Sequence, residues 1–260
     1  GESGDFEKAN FPIGVEGGKT STCPTQNLME AYDMKDGTPF VWNNQSNPYD
    51  NRDPRMKYTI VCNEMKWPVD PVEIWEGGTN GLPLQNATTT GYYLKKYVNN
   101  TISFEAGSTV TKKQHNWVLF RYGEILLNYA EAMINAFHDP NYKDAVYNMS
   151  AREAVNQIRG RTNISLPGFP SDITEKDFVK RLKNERRVEL AFEGHRFWDV
   201  RRWKELGQTA NIYGVKITKN NEVISYEKFL LETRAVTDNM YFYPIPNTER
   251  FKNPNLGQNP

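Results

Sequence analysis

Apolar residues recur every three or four positions between residues 115 and 137, and this spacing predicts one long amphipathic helix. Its expected buried face consists of Leu119, Tyr122, Leu126, Tyr129, Ala130, Met133 and Phe137. Residues 1–111 differ, because they are rich in Pro, Gly, Asn and Thr and contain turn signals such as Asn80-Gly81. We therefore expect a loop-rich region over 1–111 and a helical region with short strands and an extended tail over 112–260, together forming one structural unit.

Capping residues predict where two further helices begin. Ser150 followed by Glu153 is a capping box, and the helix that it starts is expected to end near Gly160. Thr174 is likewise followed three residues later by an acidic residue, Asp177, and starts a third helix. Because the pattern continues, this third helix is expected to run unbroken to about Gly207.

Short extended segments are expected to complete the fold. Runs of β-branched and aromatic residues predict strands at residues 58–62, 92–98, 215–217, 224–231 and 240–243. In the loop-rich region we expect a single short helix, which follows Pro24. The sequence thus predicts a mostly α fold with extensive loops and short β strands.

Charge and hydropathy exclude two classes of protein. Lys+Arg and Asp+Glu each number 32, so the net charge is zero and the chain lacks the basic footprint of a nucleic-acid-binding protein. Mean hydropathy is −0.74, and no apolar run approaches the roughly 18 residues that a membrane span needs. Cys23 and Cys62 are too few for a disulfide-rich scaffold or a four-cysteine zinc site. They could form one disulfide or remain two free thiols.

Three glutamates, Glu185, Glu189 and Glu193, follow one another at intervals of four and so share one face of the predicted third helix. A carboxylate metal site is one interpretation, but the Glu-x-x-His spacing of helix-bundle metal sites fails, because Phe192 stands three residues before His195. We therefore expect an ion-pair network and neither a metal nor a cofactor. The cations within reach are Arg181, Arg186, Arg196 and Arg202.

Catalytic motifs are scarce in the sequence. It contains no G-x-S-x-G, no P-loop and no G-x-G-x-x-G. A glycoside hydrolase needs two carboxylates about 5–10 Å apart in a cleft, and that alternative stays open. The acidic residues that could supply such a pair from loops are Asp50, Asp53, Glu64, Asp70, Glu73 and Glu76.

Aromatic residues, 13% of the chain, divide into two groups. The tryptophans of the helical region, Trp117, Trp198 and Trp203, are expected to pack in helix cores. The loop tryptophans stand beside Asn, Pro and Gly, where a flat ring can stack on a sugar while polar neighbours bind its hydroxyls. The alternative is that each ring fills a gap beneath its own loop. The candidate carbohydrate-binding residues are Trp42, Asn44, Tyr49, Trp67 and Trp75.

A series of motifs carries a resemblance to a known family. In chain order they are PTQNLMEAYDMKDGTPF, NRDPR, IWEGGTNG, TGYYLKKY, NWVLFRYGEILLNYAEAM, VNQIRGRT, NERRVELAFEGHRFWDVRRW, ISYEKFL, MYFYPIP and NPNLGQNP. From Thr25 to Pro260 the chain closely resembles the C-terminal half of SusD/RagB proteins, the surface glycan-binding lipoproteins of polysaccharide-utilisation systems. EGHRFWDVRRW and the terminal NPNL are the most specific of these motifs.

The resemblance implies a function and a location. Family members are non-catalytic, lie in the outer membrane facing outward, and capture oligosaccharides for import through a SusC-like TonB-dependent transporter. They are about twice this length, because a lipid anchor and a tetratricopeptide-like helical half precede the matching region. The helical half packs against that region in relatives, and this chain is expected to be a C-terminal portion. No binding residue transfers by motif, because the family's ligands bind variable loops. Beside the glycoside hydrolase, a second alternative stays open. It is a structural subunit of the transporter complex, and it predicts that the loop tryptophans are buried.

Overall fold

The computed structural model describes residues 2–43, 47–103 and 113–259. Eight α-helices lie within this part of the chain. They are α1 (Asp5–Asn10), α2 (Gln26–Met29), α3 (Pro54–Thr59), α4 (Tyr122–Phe137), α5 (Ala151–Arg159), α6 (Glu175–Glu189), α7 (Arg196–Arg202) and α8 (Asn247–Lys252). The fold is mostly helical with long irregular connections, as the sequence predicts. The short helix predicted after Pro24 is α2, but the expectation of a single helix in the loop-rich region is wrong, because α1 and α3 also form there, and α8 was not predicted either.

Helix α4 begins at Tyr122, later than the periodicity predicts. Leu119 precedes it and is 72% exposed, and Tyr122 itself is 68% exposed. Neither residue therefore belongs to the buried face. That face instead consists of Leu126, Leu127, Ala130, Met133 and Ile134.

Two caps form as predicted, but the third helix does not run to Gly207. The Ser150 hydroxyl accepts a hydrogen bond from the Glu153 backbone N–H and completes the capping box of α5, and Thr174 caps α6. The expected single helix is wrong, because Phe192 (φ 61°) and Gly194 (φ 83°) adopt left-handed backbone conformations that no α-helix contains. The chain therefore turns after α6 and starts again as α7.

Six strands form three antiparallel pairs among the described residues. They are β1 (Glu2–Ser3), β2 (Ile60–Val61), β3 (Tyr93–Leu94), β4 (Lys113–Gln114), β5 (Asn211–Asn220) and β6 (Val223–Thr233), paired β1 with β4, β2 with β3 and β5 with β6. The β5–β6 hairpin is longer than predicted. The predicted strand at 240–243 is wrong, since Asp238–Tyr241 forms a 3₁₀ turn, as does Leu206–Thr209.

The buried apolar residues form two clusters. The helical cluster joins α4, α5 and α6 around Leu127, Val155 and Phe178. The loop-built cluster surrounds Tyr92 and Tyr32, and it includes Val188, Val215, Ile217 and Tyr226 from beyond residue 112. Cys23 and Cys62 are both free thiols, and Cys62 is buried in the loop-built cluster.

Candidate functional site

The segment between residues 62 and 82 carries two of the candidate tryptophans and is fixed by buried side-chain amides. Asn63 Oδ1 accepts a hydrogen bond from the Ile74 N–H at 2.8 Å. Asn80 Oδ1 accepts one from the Glu73 N–H at 2.9 Å, while its Nδ2 donates to the Ile13 carbonyl at 2.6 Å. These bonds add to a few backbone–backbone hydrogen bonds, because the segment contains no regular helix or strand. The segment 62–82 is therefore a defined scaffold.

Trp67 lines a cavity of about 380 Å³ that this segment forms with residues 14–16. The ring is 7% exposed, and Lys95 Nζ lies 5.0 Å from its centroid. The indole Nε1–H is buried and has no hydrogen-bond partner among the described residues. Asp70, Thr79 and Asn80 contribute polar groups to the same cavity. An apolar wall with a few oriented polar groups is typical of a small-molecule site.

Trp75 lies on the same segment but does not line the Trp67 cavity. It is half-buried against the loop-built cluster, and Lys219 Nζ lies 4.4 Å from its ring centroid. The neighbouring Glu76 N–H donates to the Ile217 carbonyl at 2.9 Å, which joins the segment to β5. A partly exposed ring beside an ammonium group can stack on a ligand and offer a hydrogen-bond donor at its edge.

The structure does not gather the remaining candidates at this place. Trp42 is half-buried next to Phe40, with their ring centroids 6.4 Å apart. Tyr49 is 5% exposed and meets Tyr92 and Tyr226 edge-on inside the loop-built cluster. Asn44 lies outside the described residues. Trp67 and Trp75 are thus the two candidates that share one segment.

The predicted ion-pair network is present and lies under the loop region. The Arg55 guanidinium, on α3, pairs with Asp53 at 2.7 Å and with Glu185 and Glu189 of α6, and all four side chains are buried. Although burial opposes its ionisation, the hydrogen bond from Arg161 and the charge of Arg55 lower the pKa of Glu189 to about 2. Glu189 is therefore ionised at neutral pH, and its ion pairs hold α6 against the loop region.

All four predicted partners of the glutamates are wrong, since neither Arg196 nor the other three cations form an ion pair with Glu185, Glu189 or Glu193. Arg181, Arg186 and Arg202 form ion pairs with other carboxylates. The three glutamates bind cations from elements distant in sequence, which are Arg55, Lys96, Arg121, Arg159 and Arg161. Sequence spacing could not show this, because it reports neighbours on one helix and not contacts between helices.

Several loop carboxylates are engaged in structural contacts. Asp53 caps α3 and pairs with Arg55, Glu73 accepts a hydrogen bond from the Thr79 hydroxyl at 3.1 Å, and Glu76 Oε1 lies 3.3 Å from Lys216 Nζ. In the part of the chain that the structure describes, no three His, Cys, Asp or Glu side chains are arranged to hold a metal ion. No described helix is long and apolar enough to cross a membrane.

Sequence reasoning missed a group of exposed aromatic side chains. Trp117 is 62% exposed and stacks on Tyr97, with ring centroids 5.6 Å apart. Trp198 is 55% exposed and lies against Phe197 and Tyr243. The expectation that these tryptophans fill helix cores is wrong, because Trp117 precedes α4 and the short helix α7 buries Asp199 and Val200 instead. For Trp117 the sequence did carry a signal, because its ring stands two residues before Leu119 and so does not continue the three-and-four spacing of the predicted face.

Comparison with known proteins identifies the class. The model of the SusD family matches residues 4–260, so the chain belongs to the SusD family. A SusD-like protein from Bacteroides fragilis has a similar structure, with a TM-score of 0.80 and 26% identity, covering 100% of this chain and 52% of that one. A SusD-like carbohydrate-binding protein from the same species gives a TM-score of 0.75 and 25% identity over 97% of this chain and 51% of that one.

A curated relative agrees with these structures. SusD-like protein P2 of Formosa agariphila is 29% identical over 159 residues, which are 59% of this chain and 27% of that protein. The chain spans about half the length of the solved structures that it matches. The resemblance to the SusD/RagB family is therefore confirmed.

Proposed function

We propose that this protein binds oligosaccharides without catalysing a reaction on them, at the outer surface of a bacterial outer membrane. Its role is to capture sugars for import through a SusC-like TonB-dependent transporter, with lipid anchoring through an N-terminal region. The observation that carries the proposal is the family match over residues 4–260. A solved relative of 25% identity is described as a carbohydrate-binding protein, which supports the same ligand class.

The segment 62–82 is the proposed carbohydrate-binding surface. Its cavity offers the Trp67 ring, an unpartnered indole N–H, and the polar side chains of Asp70 and Thr79. Trp75 supplies a second, more accessible ring on the same segment. Trp42, Tyr49 and Asn44 stay secondary candidates. Stacking and hydroxyl hydrogen bonds in a shallow, wet site predict affinities of about micromolar to millimolar.

Affinity electrophoresis and tryptophan fluorescence against a panel of polysaccharides test this proposal. We expect saturable binding to one class of glycan. Trp75→Ala should raise the Kd for that glycan about tenfold, because the ring loses its stacking contact. Trp67→Phe, which keeps the apolar wall but removes the indole N–H, should weaken binding less.

Trp117→Ala is the matched control, since Trp117 is an exposed tryptophan that belongs neither to the segment 62–82 nor to the lining of its cavity. Equal affinities of Trp75→Ala and the unchanged protein for a confirmed glycan contradict the site. Release of new reducing ends from the bound glycan contradicts the non-catalytic role and favours a glycoside hydrolase.

A second function, a protein-interaction subunit of the transporter complex, is favoured by one observation. Trp67 is buried, and apolar side chains before α4 are instead exposed, including Leu119 and Phe120 at 72% and 80%. This alternative predicts binding to the transporter with no affinity for any glycan in the panel. Leu119→Ser with Phe120→Ser should then abolish transporter binding, whereas Trp75→Ala should not affect it.

A further inference from the structure

Two arginines without carboxylate partners line a second cavity, of about 370 Å³, between the α6–α7 turn and the start of β5. Other arginines of α6, such as Arg181 and Arg186, form ion pairs. Arg187 and Arg196 form none with a described carboxylate. Their guanidinium groups donate to neutral oxygens instead, from Arg187 Nη2 to the Asn27 carbonyl and from Arg196 Nη2 to Gln208 Oε1, both at 2.8 Å.

The positive charge of this cavity is not compensated by its lining. Among the residues that the structure describes, no aspartate or glutamate lines it. A third lining arginine, Arg234, is already paired with Glu232 at 3.1 Å. The pKa of Arg187 is lowered to about 10, mainly by burial and secondly by the positive charge of Arg196, although the negative charge of Glu30 raises it. Both guanidinium groups are therefore charged at neutral pH and repel each other.

The nearby carboxylates are occupied by other cations. Arg187 and Arg196 also face an adjoining cavity of about 460 Å³ that Glu30 and Glu205 line. Lys228 Nζ lies 2.8 Å from Glu30, and Lys183 pairs with Glu205. Two neighbouring guanidinium groups with free donors are the geometry that binds a carboxylate or a sulfate through charge-assisted hydrogen bonds.

An exposed aromatic cluster adjoins the same cavity. Phe197 lines the cavity, and its ring centroid lies 5.1 Å from that of Trp198 and 5.6 Å from that of Tyr243. The three rings are 40–58% exposed. Leu28, Phe192 and Ile212 provide further apolar wall. Aromatic faces beside two neighbouring cations fit a ligand that has a flat apolar ring face and an attached anion.

We infer that the cavity of Arg187 and Arg196 binds the anionic substituent of an acidic sugar, a carboxylate or a sulfate ester, while Phe197, Trp198 and Tyr243 contact its ring. This site is separate from the segment 62–82. The inference rests on the glycan-binding function proposed above and narrows its ligand class to acidic glycans.

Isothermal titration of the protein with three oligosaccharides of matched length tests the inference. The probes are a neutral xylo-oligosaccharide, an oligogalacturonate and a sulfated carrageenan oligosaccharide. We expect an acidic probe to bind more tightly than the neutral one, and inorganic sulfate to compete with it. The stronger of the two acidic probes identifies the anion as a carboxylate or a sulfate.

Variants separate this site from nonspecific attraction. Arg196→Gln and Arg187→Gln should each weaken binding of the acidic probe about 10- to 100-fold, because each removes charge-assisted hydrogen bonds. Arg152→Gln, which removes the same charge from a residue that lines neither cavity, should leave that affinity unchanged. Near-ultraviolet circular dichroism checks that each variant is folded. If Arg187→Gln does not fold, Arg196→Gln by itself tests the site.

Three results overturn the inference. Binding of the neutral probe at equal or greater affinity, with no competition by sulfate, removes the acidic specificity and leaves the glycan-binding function intact. If a folded Arg196→Gln variant binds the acidic probe with unchanged affinity, the cavity of Arg187 and Arg196 is not the binding site. Acidic glycans would then bind elsewhere on the protein. Failure of every probe and of the polysaccharide panel contradicts the proposed function together with the inference.

Discussion

The helical cluster and the loop-built cluster differ in how their buried backbone groups find partners. In α4, α5 and α6 the N–H groups beyond the first turn bond carbonyls four residues earlier, so only the helix starts depend on side chains such as the Ser150 and Thr174 caps. In the loop-built cluster, short strand pairs supply some of the partners and side chains supply others. Arg52, for example, donates to the carbonyls of Pro48, Met29 and Tyr32, each at 2.7 Å. The loop-built cluster therefore depends on a few particular polar residues, whereas the helical cluster depends on a repeated pattern.

The ion-pair network joins these two regions. Arg55 comes from the loop region and Glu185 from α6, 130 residues apart. Removing one partner of a buried pair leaves an uncompensated charge, while replacing the pair as a whole costs much less. The network thus fixes how the loops lie on the helices, and its loss should disturb the loop-built cluster first.

The largest effect is expected for Arg55→Met. It leaves Glu185 and Glu189 buried with fewer cations, so the free energy of unfolding should fall by about 3–5 kcal/mol in urea denaturation. Arg161→Met is the matched control, because Arg161 also binds Glu189 but is 36% exposed. It should cost no more than about 1 kcal/mol. Equal losses in the two variants would show that the network does not act through burial.

The second-largest effect is expected on acidification, which should weaken the ion-pair network between the loop region and α6. The pKa of Glu189 is lowered to about 2 in the folded protein and is near 4.3 when unfolded, so the folded state gains stability above the unfolded pKa. About 3 kcal/mol should be lost as pH falls from 5 to 2. Urea unfolding across this range measures it. In Glu189→Gln the slope of stability against pH should decrease, and an unchanged slope would assign the acid sensitivity to other groups.

The smallest effects compare a loop side chain with a helix cap. Asn80→Ala leaves the Glu73 N–H and the Ile13 carbonyl without their partner and should cost about 2–3 kcal/mol. Ser150→Ala removes one cap from α5 and should cost about 1 kcal/mol. Thermal unfolding of both variants measures the difference. If Ser150→Ala costs as much as Asn80→Ala, the two regions do not differ as described.

Sequence reasoning succeeded where the signal is local. The capping residues located the starts of α5 and α6. It failed at the end of α6, where Gly194 was a usable stop signal but the apolar pattern continued through it. It also failed for Trp198, since an aromatic ring at helical spacing fits a buried face and an exposed one equally well.

The candidate binding residues show the same division. Their positions in loops followed from neighbouring Asn, Pro and Gly, yet burial separates them. Tyr49 packs between Tyr92 and Tyr226, whereas Trp75 keeps a partly accessible ring beside Lys219. Arg187 and Arg196 carried no distinguishing signal, because an arginine without a carboxylate partner looks like any other in sequence.

The sequence by itself determined the helical periodicity, the caps, the absence of a net charge and the membership of the SusD family. All of these depend on residue types and on their order along the chain, and none of them requires knowledge of contacts between distant residues. The tertiary structure alone decided which cation pairs with which glutamate, which tryptophan is buried and where two arginines meet without an acid. Those outcomes depend on contacts such as that of Arg55 with Glu189, which span more than a hundred residues and leave no periodic trace in the chain.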